Sequence, residues 1–437
     1  MSGTAVQAGF SQEAFDAFLR SRQEPAWLVQ RRQDAWRRFQ QLPMPDGRME
    51  EWRRTDIRLF RLDRFGLPAP PPAGAQAPPP LLAEGVDLAG RMATLDSHPL
   101  YAELDAKWSN AGVLFGSLDD LAIEHEAVVR PNLSTKAVDP AYDKFSALHA
   151  AWWSGGTLLY VPRGVVIDRP LHMLSGLSPG GVDLGHALIV LEEGAEATLL
   201  AETASLDPTA AGLHVGAIEI LLAPRARLRY VNLQNWGTGV WHFAHQKAIV
   251  DRAAGLQWTI GALGSRLAKV NQHVALVGPD AHTQVNGVMF TEGKQHLSYH
   301  TLQHHAVPNC RSDLLYKGAL QDRSHLVWRG MIHVDKNAIK TDAYQRDDNL
   351  ILSDSARADS IPGLEILADD VRCSHGATAG RVDDEQIFYT CSRGLTRREA
   401  IRMIVAGFFQ QVFDRITIGS VRDALGDAIR RRVREYA

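Results

Sequence analysis

From Gly155 onward the chain repeats a simple unit, a short β-branched run followed by a turn built around one small residue. Runs at 157–161 and 187–191 show the pattern, and eight turns align, at 193–197, 224–228, 252–256, 279–283, 292–296, 322–326, 336–340 and 354–358. Their middle positions (195, 226, 254, 281, 294, 324, 338 and 356) are spaced by 31, 28, 27, 13, 30, 14 and 18 residues. These gaps read as one or two units of about 14 residues. Strand–turn units that recur at a near-constant step bury their apolar faces only against the next unit. A parallel β-helix over 151–382 is therefore the expected architecture. An antiparallel sandwich or cupin-like barrel also has many short strands, but neither needs the same small-residue turn at related spacing.

The flanks read differently. Residues 1–150 are expected to be a helical region: Ser11 can cap one helix, and Pro25 suits the start of another that carries Leu28, Ala35, Trp36 and Phe39. Trp52 is expected to pack into a small helical core. The Pro-rich stretch 67–80 is read as a semi-rigid surface insertion. After Gly380 the period becomes helical again, giving a C-terminal helical domain over 383–437. Asp383 caps its first helix, and Thr396 with Glu399 opens the second as a capping box. Phe408, Phe409, Val412 and Phe413 make that second helix apolar on more than one face. It can meet a partner or simply pack on the end coil. The basic run from Arg430 to Arg434 reads as a solvated face.

Charge and motif content exclude several functions. With 47 basic against 50 acidic side chains and a formal net charge of −3, nothing points to capture of nucleic acid or an anionic membrane. No run approaches the ~18 apolar residues of a membrane span, and Met1 to Gln7 lack the basic-then-apolar order of a signal peptide. A cytoplasmic location is expected. There is no phosphate-binding G-x-x-x-x-G-K-[ST] loop, no G-x-G-x-x-G after a strand, no H-E-x-x-H and no G-x-S-x-G elbow, so nucleotide hydrolysis by this chain is not expected. A β-helix enzyme acting on carbohydrate or acyl groups is the alternative function. It would need convergent acid and base groups, whereas the acidic residues here fall mostly at turns.

Three cysteines, Cys310, Cys373 and Cys391, form no C-x-x-C and cannot build a four-thiolate site within one chain. Cys373 and His375 are the exception to a chain poor in obvious chemistry. On an extended strand they share a face, about 6.5–7 Å apart along the chain. Both are suitable ligands for iron, zinc or a cluster edge, although a lone cysteine also serves as a small buried hydrophobe. His296, His300 and His304 likewise share one face of a predicted strand, but they sit about 13 Å apart along it, too far for a common ion. Only a neighbouring coil could complete a site there, and they read as polar ladder or interface residues.

Several stretches closely resemble the SufB/SufD family of iron–sulfur cluster assembly proteins. They include Asn349 to Asp359, Leu364 to Gly380 with its Cys373-Ser374-His375-Gly376 core, Asp384 to Tyr389 and Ser392-Arg393-Gly394. Pro308-Asn309-Cys310, Tyr316-Lys317-Gly318, Glu24 to Leu28 and Glu51 to Thr55 are similar to that family as well. The sequence at 373–378 resembles the SufD branch more than the SufB branch; a SufB-like paralogue is the alternative within the family. The resemblance implies a right-handed parallel β-helix between helical ends, acting as a non-catalytic scaffold with a SufB-like paralogue and the SufC ATPase. It implies that His375, with Cys373 beside it, serves a transient iron or iron–sulfur cluster shared across the SufB interface, and that the C-terminal helices dock the ATPase. No nucleotide is expected on this chain, and a homodimer is a possible state when it is isolated. Cys391 departs from the family pattern, which has an aliphatic residue there.

Overall fold

The computed structural model describes residues 9–67 and 70–433. The N-terminal stretch read for targeting, Pro68 and Ala69 of the Pro-rich segment, and Arg434 lie outside the described residues. The architecture is a parallel β-solenoid, not a sandwich or barrel. Each coil contributes one strand to each of two facing sheets. In the first sheet eight successive strands, from Leu171–Leu177 to Arg372–Arg381, are all parallel neighbours. In the second, the path runs from Gly155–Val161 to Arg357–Ile366.

The strands of the first sheet that begin at Arg227, Gly255, His282, Arg311, Asp342 and Arg372 pair start to start. One coil is therefore 27 to 31 residues long, and the half-steps of 13 and 14 in the sequence are passages between sheets. A specific turn sets this register. Gly194, Arg225, Ala253, Asp280, Asn309 and Lys340 all take positive φ, between 54° and 67°. Each is followed by a small residue buried at the coil corner: Ala195, Ala226, Ala254, Ala281, Cys310 and Thr341. The left-handed residue turns the backbone sharply, and only a small side chain fits where successive corners stack. Cys310 thus occupies a structural column.

Alternation sends one set of side chains between the sheets and the other outward. The interior holds Tyr230, Leu256, Trp258, Val270, Leu297, Tyr299, Leu314 and Trp328. The outer face of the first sheet, with Val231, Leu233, Val288, Phe290 and Leu315, is covered by the C-terminal helices. The outer face of the second sheet carries Leu213, Val215, Trp241 and Phe243 under the N-terminal helices, which supply Phe15, Trp36, Phe39 and Trp152. Trp52 is buried there as expected, though its core includes Phe243 of the solenoid. Ser11 caps helix Gln12–Ser21, Asp383 caps Asp384–Ser392, and Thr396 with Glu399 forms a complete capping box on Arg397–Phe413.

The expected helical region 1–150 needs correction over 90–117. Gly90–Leu95 pairs parallel to Leu171–Leu177 and antiparallel to His98–Leu104, and Leu114–Ser117 pairs antiparallel to Gly155–Val161. These strands extend both sheets at the N-terminal end of the solenoid and pair the edges of its first coil. Two buried glutamates fasten the preceding segments. Glu202 accepts from the backbone of Leu81 (2.7 Å) and from His172 (2.6 Å), so the Pro-rich stretch ends anchored. Glu219 accepts from the backbone of Ser134 (2.6 Å) and Val138 (3.0 Å) and from His186 (3.0 Å). Arg32, fully buried, forks onto Glu24 through two contacts of 2.7 Å and donates to the carbonyls of Ala151 and Trp153. Each buried charge is thereby paired and hydrogen-bonded. The basic C-terminal run is also not wholly solvated: Arg432 donates to Asn235 at 2.8 Å.

Trp258 fills the solenoid interior with no exposure. Replacing it with alanine is expected to lower unfolding free energy by about 3–5 kcal/mol, read as a reduced denaturant midpoint with an unchanged slope. A loss below about 1 kcal/mol would show that the coils stack without this ring.

Candidate functional site

At the N-terminal end the first parallel coil is followed outward by antiparallel strands, whereas at the other end a parallel coil is itself the last. Arg372–Arg381 and Arg357–Ile366 are the last strands of their sheets, and each leaves one backbone edge unpaired. Their side chains are largely exposed or half-buried, with Leu364, Ile366 and Leu367 between 37% and 54% exposed.

Cys373 and His375 lie on this terminal coil and share a face, as the i, i+2 spacing predicts. The register shows which face it is. Cys373 pairs with Ala343 and His375 with Gln345, and both partners are buried. Parallel neighbours project to the same side, so the thiol and imidazole belong to the inner face of the solenoid and are reachable only because no further coil covers them. Cys373 packs half-buried against the cluster of Ile332, Val334, Ala338 and Ala343, while His375 is exposed. Burial, with the Asp342 carboxylate adding to it, pushes the Cys373 thiol above its ordinary range. It rests as a thiol and must lose its proton to bind a metal.

Polar groups stand behind these residues on the same inner face. Asp347 accepts from Asn349 at 2.6 Å and from Ser360 at 2.5 Å, and burial pushes its carboxyl up to about 7. Gln345 donates to the carbonyl of Gly363 at 3.0 Å, tying the two sheets together at the mouth. Sequence reading did not single out Gln345, Asp347 or Ser360. Gln345 and Asp347 alternate on the strand paired with that of Cys373 and His375, and Ser360 faces them from the other sheet, so the signal needs the register.

The other expected residues divide. His296, His300 and His304 do share a face, the outer one. His296 meets His325 at 3.1 Å, and His325 meets Asp359 at 2.9 Å. Burial, with Lys269 nearby, depresses His300 strongly. His304 is brought to His333 and Asp335 of the next coil. Cys391 lies on a helix and packs against the C-terminal core. Phe409, Val412 and Phe413 are 0%, 0% and 7% exposed and pack on the solenoid, while Phe408 is half-buried beneath Lys317. Phe409, Val412 and Phe413 are therefore spent on the chain's own core, with Phe408 partly covered beside them. Among the described residues, the exposed large apolar side chains of the helical end are Phe388 (77%), Tyr389 (57%) and Met403 (51%).

Residues 175–408 match the family described as SUF system FeS cluster assembly, SufBD core domain, and residues 87–173 match the SufBD protein N-terminal region. The chain belongs to the SufBD family. SufBD relatives agree over nearly the whole length. An iron–sulfur cluster assembly SufBD family protein of Staphylococcus saprophyticus is 27% identical over 427 residues, covering 92% of this chain and 89% of the relative. Proteins with the same family description from Staphylococcus haemolyticus and Staphylococcus aureus are each 26% identical over the same span. The SufBD core match includes the terminal coil, with Cys373 and His375, and most of helix Arg397–Phe413.

Because the Cys373 thiol is raised, its alkylation is expected to be slow near neutral pH and to accelerate as pH rises from about 7 to about 10. Cys310, buried and pushed up to about 11, is expected to stay unmodified in the native chain. Site-resolved mass spectrometry of carbamidomethylated protein reads both. Rapid labelling of Cys373 at neutral pH would contradict the burial argument.

Proposed function

We propose that this SufBD protein is a SufD-type scaffold subunit, without catalytic activity of its own, that joins a SufB-like paralogue and a SufC-like ATPase. The observation that carries this reading is the position of Cys373 and His375 on the inner face of the terminal, unpaired coil. Free edges on both sheets, beside exposed Leu364, Ile366 and Leu367, favour a second solenoid end added strand to strand. At such a junction one thiol and one imidazole are two ligands of an incomplete set, and the partner supplies the others. Iron or a nascent cluster is then cargo held transiently between two chains. In the absence of that partner, the same edges can pair with a second copy of this chain.

The ATPase is assigned to the C-terminal helical end through Phe388, Tyr389 and Met403, in place of the buried phenylalanines. Nucleotide binding belongs to that partner, since this chain has no phosphate loop. The helical layer is tied to the first sheet by Gln257 to the Arg415 carbonyl (2.8 Å), Gln321 to the Arg432 carbonyl (2.8 Å) and Arg415 with Asp313 (3.2 Å). A displacement of the helices by the ATPase would thereby pull on the sheet that ends in Cys373 and His375. A cytoplasmic location fits these partners, and no described helix is long and apolar enough to cross a membrane.

Anaerobic co-purification with SufB-like and SufC-like partners tests the reading. His375→Ala is expected to leave assembly intact and to reduce bound iron and acid-labile sulfide at least about tenfold. Normal cluster content in that variant would overturn the site, and failure of the wild-type chain to associate with the paralogue would overturn the SufD-type role.

A further inference from the structure

A second set of metal-ligating side chains lies on the opposite, outer face of the solenoid. Strands His296–His305 and His325–Val334 run parallel in adjacent coils, and their register places His304 directly beside His333. Asp335 follows two residues later, where the strand gives way to its corner. His304 Nε2 lies 3.0 Å from one Asp335 carboxylate oxygen, and His333 Nε2 lies 2.9 Å from the other. The three ligand atoms all fall within 4.8 Å of one another. The imidazole rings are 5.1 Å apart and inclined at 64°, so both can direct a nitrogen to a common point without stacking. The side chains are between 25% and 40% exposed, reachable from solvent yet held by the coils on either side.

The hydrogen bonding of His333 carries the argument further. Its Nδ1 lies 3.2 Å from a Glu365 carboxylate oxygen on the terminal coil, while its Nε2 faces Asp335. A neutral imidazole has one N–H and cannot donate to both carboxylates. If Nδ1–H is given to Glu365, the Nε2 lone pair points at a carboxylate oxygen, an arrangement that requires a second proton or a cation between them. A carboxylate that fixes the far nitrogen of a ligating histidine is the usual outer partner of a metal-bound imidazole. Two neutral imidazoles and two carboxylates also balance the charge of a divalent ion. A set of two nitrogens and one oxygen suits zinc or ferrous iron with open coordination positions, and is a poor match for calcium or magnesium.

We propose that His304, His333 and Asp335 bind one divalent first-row transition-metal ion, with Glu365 as the positioning residue for His333. The site joins three successive coils and is separate from the inner-face pair Cys373 and His375, so it does not depend on the role assigned to that pair.

Zinc titration of the full, chelator-treated chain by calorimetry tests the proposal, using a Cys373→Ala, His375→Ala background to remove the end-coil ligands. This background chain is expected to bind one equivalent of Zn²⁺. Added separately, His304→Ala, His333→Ala and Asp335→Asn are each expected to weaken binding at least about tenfold, and Glu365→Gln about tenfold without abolishing it. Circular dichroism of each variant checks that the solenoid remains folded; these are surface positions. Absence of stoichiometric Zn²⁺ binding in the background chain would overturn the site. Unchanged affinity in the folded His333→Ala chain would overturn it equally.

Discussion

The structure depends on parallel, in-register hydrogen bonding between successive coils. A strand in this solenoid finds its backbone partners in the coils before and after it, about 30 residues away in sequence, never in its own coil. That arrangement propagates freely along the axis but cannot terminate itself, because the first and last strands necessarily leave donors and acceptors without partners. The two ends of this chain meet the constraint in opposite ways. At the N-terminal end a hairpin over 90–104 and the strand Leu114–Ser117 pair with the edges of the first coil and end the sheets in antiparallel strands. At the C-terminal end the chain turns away into helices that cover the flank of the first sheet, and the terminal coil is left open.

The covering layers are held by a combination of apolar area and a few buried charges. Phenylalanine and tryptophan rings of the N-terminal helices meet the second sheet, and the C-terminal helices meet the first. Non-directional apolar contact would leave such layers free to slide. Glu202 and Glu219 remove that freedom by accepting backbone N–H groups of the passing segments, and Arg32 does so by donating to backbone carbonyls. The inner face of the solenoid becomes polar toward its open end, where Gln345, Asp347 and Ser360 stand behind Cys373 and His375. An iron–sulfur assembly protein of the SufBD family thus carries this thiol and imidazole on the inner face of its last coil, where no further coil covers them.

Much of this was legible in the order of residues. The recurring small corner residue announced a solenoid because stacking of corners excludes large side chains, and the i, i+2 placement of Cys373 and His375 required a shared face. The capping residues Ser11, Asp383 and Thr396 act within one turn of their helices, so their effect is local and readable. The strands over 90–117 were not legible, since their own pattern is short and two of them pair with distant residues, Gly90 with Leu171 and Leu114 with Tyr160. The apolar helix bearing Phe409 and Phe413 was ambiguous for a related reason: its pattern records how many faces are covered, not whether the cover is the same chain or another.

The sequence by itself determined the recurring step of about 14 residues, the small corner residues, the helix caps and the shared face of Cys373 and His375, because each is written in local spacing and residue type. Tertiary structure alone decided that this pair faces inward at an unpaired end, and that His304, separated by 29 positions from His333, stands beside it. Both outcomes follow from the inter-coil register. Coils of 27 to 31 residues vary enough that residue spacing does not reveal which side chains become neighbours, and only the hydrogen-bonded alignment of one coil on the next resolves it.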